Sequence, residues 1–228
     1  MKLPRRAAAG LIAAALLTPL TLLAPASPAA AAGTTCTVTP SSVTLYDKPK
    51  KVKFRVNSRL PFWMLDVPDA EISPTSDDPV RELDSSTQFS WIAGKVDAFA
   101  LLSSADGYDK ANCKTTFTIL RGSRISLAAK TVTGRRQFTG SLKAITFGWH
   151  HDPSYLGQTS KPTWSALGDQ LVKIQYRTTK NTWVTATTTR TASDGTYRVT
   201  KKIGKHQWRA VYGGSSTTGA RTSAAVTR

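Results

Sequence analysis

From residue 33 onward the chain alternates apolar and polar side chains over short runs broken by turn signals, and that two-residue period is the signature of β-strands. Residues 51–57 read Lys-Val-Lys-Phe-Arg-Val-Asn. They set Val52, Phe54 and Val56 on one face and charges on the other, which predicts one half-buried strand. Val43 and Leu45 predict a strand before it, residues 62–67 one after it, and 115–120 the close of a first module. At residues 96–101 the period leaves a strand and a short helical turn both open. Further along, residues 125–129, 137–145, 170–177, 182–189, 197–200, 207–212 and 220–226 predict seven strands with scarcely a helical period. In the third of these, Val172, Ile174 and Tyr176 are expected to point inward, and Trp183 and Trp208 are expected in the core. Asp194-Gly195 is a tight-turn pair, from which 197–200 is expected to fold back as a hairpin. Short strands at this spacing predict an antiparallel sandwich.

The first thirty-two residues follow a different pattern. Lys2, Arg5 and Arg6 precede a run rich in Ala, Leu and Ile, which ends in Ala30-Ala31-Ala32. A basic head, an apolar middle and an Ala-x-Ala site predict a secretory signal peptide over residues 1–32, cleaved before Gly33. Pro19, Pro25 and Pro28 argue against a membrane-spanning helix, and no later segment approaches spanning length. The mature chain is therefore expected to be extracellular, released or held at the surface by non-covalent contacts, with no transmembrane segment after cleavage. Export also bears on Cys36 and Cys113, the two cysteines of the chain, which are expected to form one disulfide.

Several segments carry a resemblance. Val172-Lys-Ile-Gln-Tyr-Arg177, Trp183, Ser193-Asp-Gly-Thr-Tyr197 and Trp208-Arg-Ala-Val-Tyr-Gly213 together resemble the secreted immunoglobulin-like β-sandwich modules of high-GC Gram-positive bacteria. The resemblance covers residues 121–228, and more loosely the first module through Ser42-Val-Thr-Leu45. Arg124-Ile-Ser-Leu127 echoes that tetrapeptide as a weak internal repeat. It implies an all-β fold of two immunoglobulin-like sandwich domains in tandem, residues 33–120 and 121–228, and a structural or adhesive role.

Charge separates the two modules. The 228-residue chain carries 31 Lys+Arg and 14 Asp+Glu, a formal net charge of +17. Residues 33–120 hold 10 basic and 11 acidic side chains, whereas 121–228 hold 18 basic and 3 acidic ones. So one-sided a module concentrates polyanions around itself and lets go of them in salt. Arg121, Arg124, Arg135, Arg136 and Lys143, with Lys201, Lys202, Lys205 and Arg209, are its candidate contacts with an anionic cell-wall polymer or another extracellular polyanion. No helix-turn-helix, RNA-recognition or zinc-finger pattern points to specific nucleic-acid recognition.

A second candidate is the aromatic stretch 147–164, long for a sandwich loop. There Trp149, Tyr155 and Trp164 offer flat faces to a polysaccharide, and His150 and His151 are metal-capable. Adjacent histidines on an extended segment point to opposite faces, so no metal site is expected. An acidic stretch, Asp66 to Asp84, could supply calcium oxygens or dock onto the basic module, but lacks the spacing of a calcium loop. Three histidines, two glutamates and no nucleophile elbow, zinc helix or Ser-x-x-Lys leave a hydrolase only as a distant alternative, and no cofactor is expected.

Overall fold

Strands and their connections make up the described part of the molecule, with no α-helix. The structure is a computed structural model, and it describes residues 36–68, 72–83, 93–107, 110–147 and 162–228. The leader expected at 1–32, most of the aromatic loop with Trp149, His150, His151 and Tyr155, and Glu71 and Asp84 lie outside those residues.

The N-terminal lobe contains β1 (Thr37–Thr39), β2 (Ser42–Leu45), β3 (Lys50–Lys53), β4 (Arg55–Asn57), β5 (Phe62–Asp66), β6 (Val80–Leu83), β7 (Gly94–Ser103) and β8 (Lys110–Arg121). The alternation over 51–57 survives in its burial, but the segment is two strands rather than one: β3 pairs with β6, and β4 pairs with β1. Phe54 lies between them, bonded through its N–H to the Pro79 carbonyl at 2.8 Å, and its ring meets Phe117 across the core at 5.5 Å. A two-residue period fixes which side chains point inward and carries no information about the partner strand. The ambiguous 96–101 segment is part of β7, whose burial alternates without a break from Gly94 to Leu102. A separate four-stranded sheet runs β2-β8-β7-β5, and β2 lies parallel to β8. Cys36 and Cys113 form a disulfide, with Cα atoms 6.0 Å apart and a sequence separation of 77.

In the C-terminal lobe the strands are β9 (Ser123–Ile125), β10 (Ala128–Val132), β11 (Arg135–Phe147), β12 (Pro162–Ala166), β13 (Leu171–Arg177), β14 (Trp183–Arg190), β15 (Thr196–Lys201), β16 (Gln207–Tyr212), β17 (Arg221–Thr222) and β18 (Val226–Thr227). One sheet is centred on β11, which pairs with β9, β10, β12 and β15; the other runs β14-β13-β16-β17, with β18 also on β16. Phe138, Leu142 and Tyr197 of the first sheet face Val172, Ile174, Trp208, Ala210 and Tyr212 of the second, so the lobe is a sandwich with its own core. Opening strands on β11, β11 on β15, β13 on β16 and the last strands on β16 is an immunoglobulin-like pairing. Trp208 is fully buried and its indole meets Phe138 at 4.5 Å. Burial pushes the Tyr197 phenol above its usual range, and its hydroxyl donates to the Ser126 carbonyl.

Two expectations are corrected here. Asp194-Gly195 does make a tight turn: Gly195 has φ +75°, its N–H bonds the Ala192 carbonyl at 2.9 Å, and Asp194 accepts from the Thr196 N–H at 2.9 Å. That turn is no hairpin, because β14 pairs with β13 while β15 pairs with β11, so the chain crosses from one sheet to the other. Turn chemistry sets a local reversal and leaves the choice of partner to the core. Trp183, expected in the core, is only half-buried, because the register places it opposite Arg177 on the polar parity of β13.

A single residue, Gly122, separates β8 from β9, and Gly33–Arg228 forms one compact unit. The Gly122 N–H bonds the Leu45 carbonyl at 2.6 Å, and the Arg121 N–H bonds the Thr217 carbonyl at 2.9 Å. A Cβ on Gly122 would clash with the edge of the Tyr46 ring and lie 2.8 Å from the Leu45 carbonyl oxygen, so the close approach favours glycine. The buried Ser123 hydroxyl bonds the Gly219 carbonyl at 2.7 Å, and the Gly219 N–H returns to the Arg121 carbonyl at 2.9 Å. The lobes therefore meet through paired backbone groups instead of a flexible linker.

Candidate basic binding surface

Cross-strand partners share a sheet face, so the register sorts the basic side chains of the C-terminal lobe into distinct surfaces. On β11, Phe138, Leu142 and Ala144 point inward and Arg135, Gln137, Thr139 and Lys143 point outward. Their partners Lys130, opposite Gln137, and Arg198, opposite Thr139, complete an exposed basic face. Lys130, Arg135 and Arg198 have no side-chain partner among the described residues. Arg136 and Lys201 are opposite each other on the other parity, where the Arg136 guanidinium donates to the Thr131 hydroxyl. Lys202 and Lys205 are exposed on the connection to β16. A cleft of about 610 Å³ is lined by Arg190, Arg198, Thr139, Thr196 and Tyr197, and none of the described residues that line it is acidic.

Two candidates sit at the lobe junction. Arg121 is half-buried at the lobe junction, where its backbone carries the contacts above and its Nε is buried. Arg124 forms an ion pair with Asp47 of the N-terminal lobe at 2.7 Å, and its guanidinium lies 3.7 Å from the centre of the Trp164 ring. Trp164 sits on β12 opposite Ile145, so one face of its indole is already covered. Arg124 thus ties Trp164 of β12 to Asp47 of the N-terminal lobe.

The outer face of the second sheet is built differently. Gln175 is opposite Arg209, and Arg177 is opposite Trp183. The Arg209 guanidinium lies 4.2 Å from the Trp183 ring centre, and its Nε donates to Gln175 Oε1 at 2.8 Å. Arg177 Nη1 donates to Gln207 Oε1 at 3.3 Å. Lys173 lies on the same parity two residues before Gln175. Trp183 was missed as a site residue, and the signal that finds it is register: a five-residue connection, 178–182, brings it to the polar side of β13.

Carboxylates are scarce around these groups. Among the described residues, Arg124–Asp47 and Arg190–Asp169 (3.1 Å) are the ion pairs that engage a base of the C-terminal lobe. In the acidic stretch, Asp78 pairs with Arg81 of its own lobe at 2.6 Å, and Asp66 accepts from Ser73 at 3.4 Å. Asp47, outside that stretch, makes the acidic contact to the basic lobe. No group of three metal-ligating side chains occurs among the described residues, and the His206 imidazole packs against the rings of Tyr176 (4.8 Å) and Trp208 (5.8 Å). No helix among them is long and apolar enough to cross a membrane.

The N-terminal lobe exposes a contrasting surface. Phe62 and Met64 of β5 lie beside Leu101 and Phe99 of β7, all outward and 38–44% exposed, and Phe62, Met64 and Leu101 line a cavity of about 490 Å³. Consecutive apolar residues in Phe62-Trp63-Met64-Leu65 break the alternation, and this was the sequence signal for an apolar outer face.

No protein-family model matches this chain, and no curated protein matches it. Among solved structures, the D00-D0 domain of Intimin is 15% identical with a TM-score of 0.28, over 85% of this chain and 98% of that one. The apo structure of Bacteroides uniformis beta-glucuronidase 3 is 11% identical with a TM-score of 0.25, over 86% of this chain and 25% of that one. A Parabacteroides merdae beta-glucuronidase is 8% identical with a TM-score of 0.25, over 86% of this chain and 24% of that one. The all-β fold stands on the strand register and the two cores, and no activity is transferred from these likenesses.

Proposed function

We propose that this protein is a secreted, non-catalytic binding module that associates electrostatically with anionic cell-surface or extracellular polymers through its C-terminal lobe. The observation that carries this reading is the 18 basic side chains against three acidic ones in residues 121–228, with Lys130, Arg135 and Arg198 on one outer sheet face and Lys173, Arg177 and Arg209 on the other. Unneutralised charge of that kind raises the local concentration of polyanions, and each contact releases counterions from the polymer. The leader pattern at 1–32 and the Cys36–Cys113 disulfide support an oxidising, extracellular destination. The N-terminal lobe, near-neutral and braced by that disulfide, acts as a rigid support for the basic one.

Co-sedimentation of the intact chain with purified Gram-positive cell wall tests the reading. The protein is expected in the pellet at low ionic strength and in the supernatant at about 0.5 M salt, where the screening length is down to a few ångströms. Retention that is indifferent to salt, or no retention at either, contradicts it.

A further inference from the structure

We infer that the outer face of the β14-β13-β16 sheet is a built oxyanion site, with Arg209 and Arg177 as ligand-contacting groups and Trp183, Gln175 and Gln207 as the residues that position them. The inference rests on the reading that the C-terminal lobe binds polyanions, and it assigns the place and the ligand chemistry. Both guanidinium groups are held by neutral partners: Arg209 by the Trp183 ring and the Gln175 amide, Arg177 by the Gln207 amide. Neutral partners orient a cation without cancelling its charge, whereas a carboxylate in their place would quench it. Stacking on the indole and bonding through Nε leave the terminal nitrogens of Arg209 without a protein acceptor among the described residues.

Pre-ordering decides between the two basic faces. An exposed Lys or Arg gives up rotamer freedom when it binds, and that cost is subtracted from affinity. Arg209 has already given up this freedom on folding, while Lys130, Arg135 and Arg198 on the opposite sheet have no such anchor among the described residues. Forked guanidinium donors on a flat sheet, with Lys173 extending the line, suit oxyanions repeated along an extended polymer. Phosphate diesters and carboxylates share that chemistry.

The experiment measures affinity of the intact chain for long-chain inorganic polyphosphate and for polygalacturonate at one fixed ionic strength. Trp183→Ala, Gln175→Ala and Arg209→Lys leave the net charge unchanged. Arg209→Lys is each time expected to weaken binding about tenfold, as loss of a charge-assisted bond does, with Trp183→Ala close behind and Trp183→Phe restoring most of it. The double variant Lys130→Gln/Arg135→Gln, although it removes two charges, is expected to cost about twofold or less, a screened long-range loss. The stronger-bound probe tells phosphate from carboxylate. Wild-type affinity in both Arg209→Lys and Trp183→Ala, with the larger loss in the Lys130/Arg135 variant, overturns the assignment of this face and leaves the basic-lobe reading intact. Absence of salt-dependent binding by the wild type to either probe overturns both.

Discussion

The two lobes solve the interior of a β-sandwich in the same way and use their exteriors for different ends. In each, a two-residue period delivers a ring pair to the centre, Phe54 with Phe117 in one and Phe138 with Trp208 in the other. Outside, the N-terminal lobe balances its charges and exposes Phe62, Met64, Phe99 and Leu101, while the C-terminal lobe covers both sheet faces with bases. Interior positions are constrained by packing, and outward positions are free to specialise. The lobes also differ in how they are held: a disulfide closes the first, and the second relies on its core and on the tight junction at Gly122.

That difference can be broken one lobe at a time. Replacing Cys36 and Cys113 by Ser is expected to cost about 4.5 kcal/mol, the chain-entropy value for a loop of this length, in urea denaturation. Polyphosphate affinity in native buffer should stay unchanged, since the bond lies in the other lobe; a parallel loss of affinity would contradict the division of labour. Trp208→Ala and Phe117→Ala each empty a fully buried ring site and are expected to cost about 3–5 kcal/mol by the same measurement. A cost below about 1 kcal/mol for either would mean that its ring is not central to the core. At the junction, Gly122→Ala forces a methyl against the edge of the Tyr46 ring and should cost about 1–3 kcal/mol, with Tyr46→Ala relieving part of it. The smallest effect is a gain. Thr133 and Gly134 close the β10–β11 hairpin at φ 45° and 70°, where Asn-Gly is preferred, so Thr133→Asn should stabilise by about 0.5 kcal/mol.

How much of this was legible in the sequence follows from what each signal encodes. Alternation identified Val52, Phe54, Val56, Val172 and Ile174 as interior, because a strand face is a local property of the chain. It missed that 51–57 divides between two sheets and that Asp194-Gly195 joins two sheets, because pairing depends on distant residues. Trp183 was misplaced for the same reason: aromatic character predicts burial, and only the register with Arg177 turns the ring outward onto Arg209. The charge division needed no structure, yet it treated all bases alike. Geometry separates Arg121, half-buried at the junction, and Arg124, ion-paired there, from Arg209 and Arg177, held by neutral partners and facing outward.

The central claim is that binding resides in one lobe's charge and not in the charge of the whole chain. Two variants of equal net charge test it most directly: Lys48, Lys50, Lys51 and Lys53 all changed to Gln in the N-terminal lobe, or Lys130, Arg135, Lys173 and Arg177 all changed to Gln in the C-terminal lobe. For each, the affinity for polyphosphate is followed as a function of salt. The account predicts a wild-type slope of log affinity against log salt for the first variant, and a slope shallower by roughly 1.5, with weaker binding, for the second, because Lys173 and Arg177 are the replaced bases that contact the polymer. Equal losses in the two variants would contradict it.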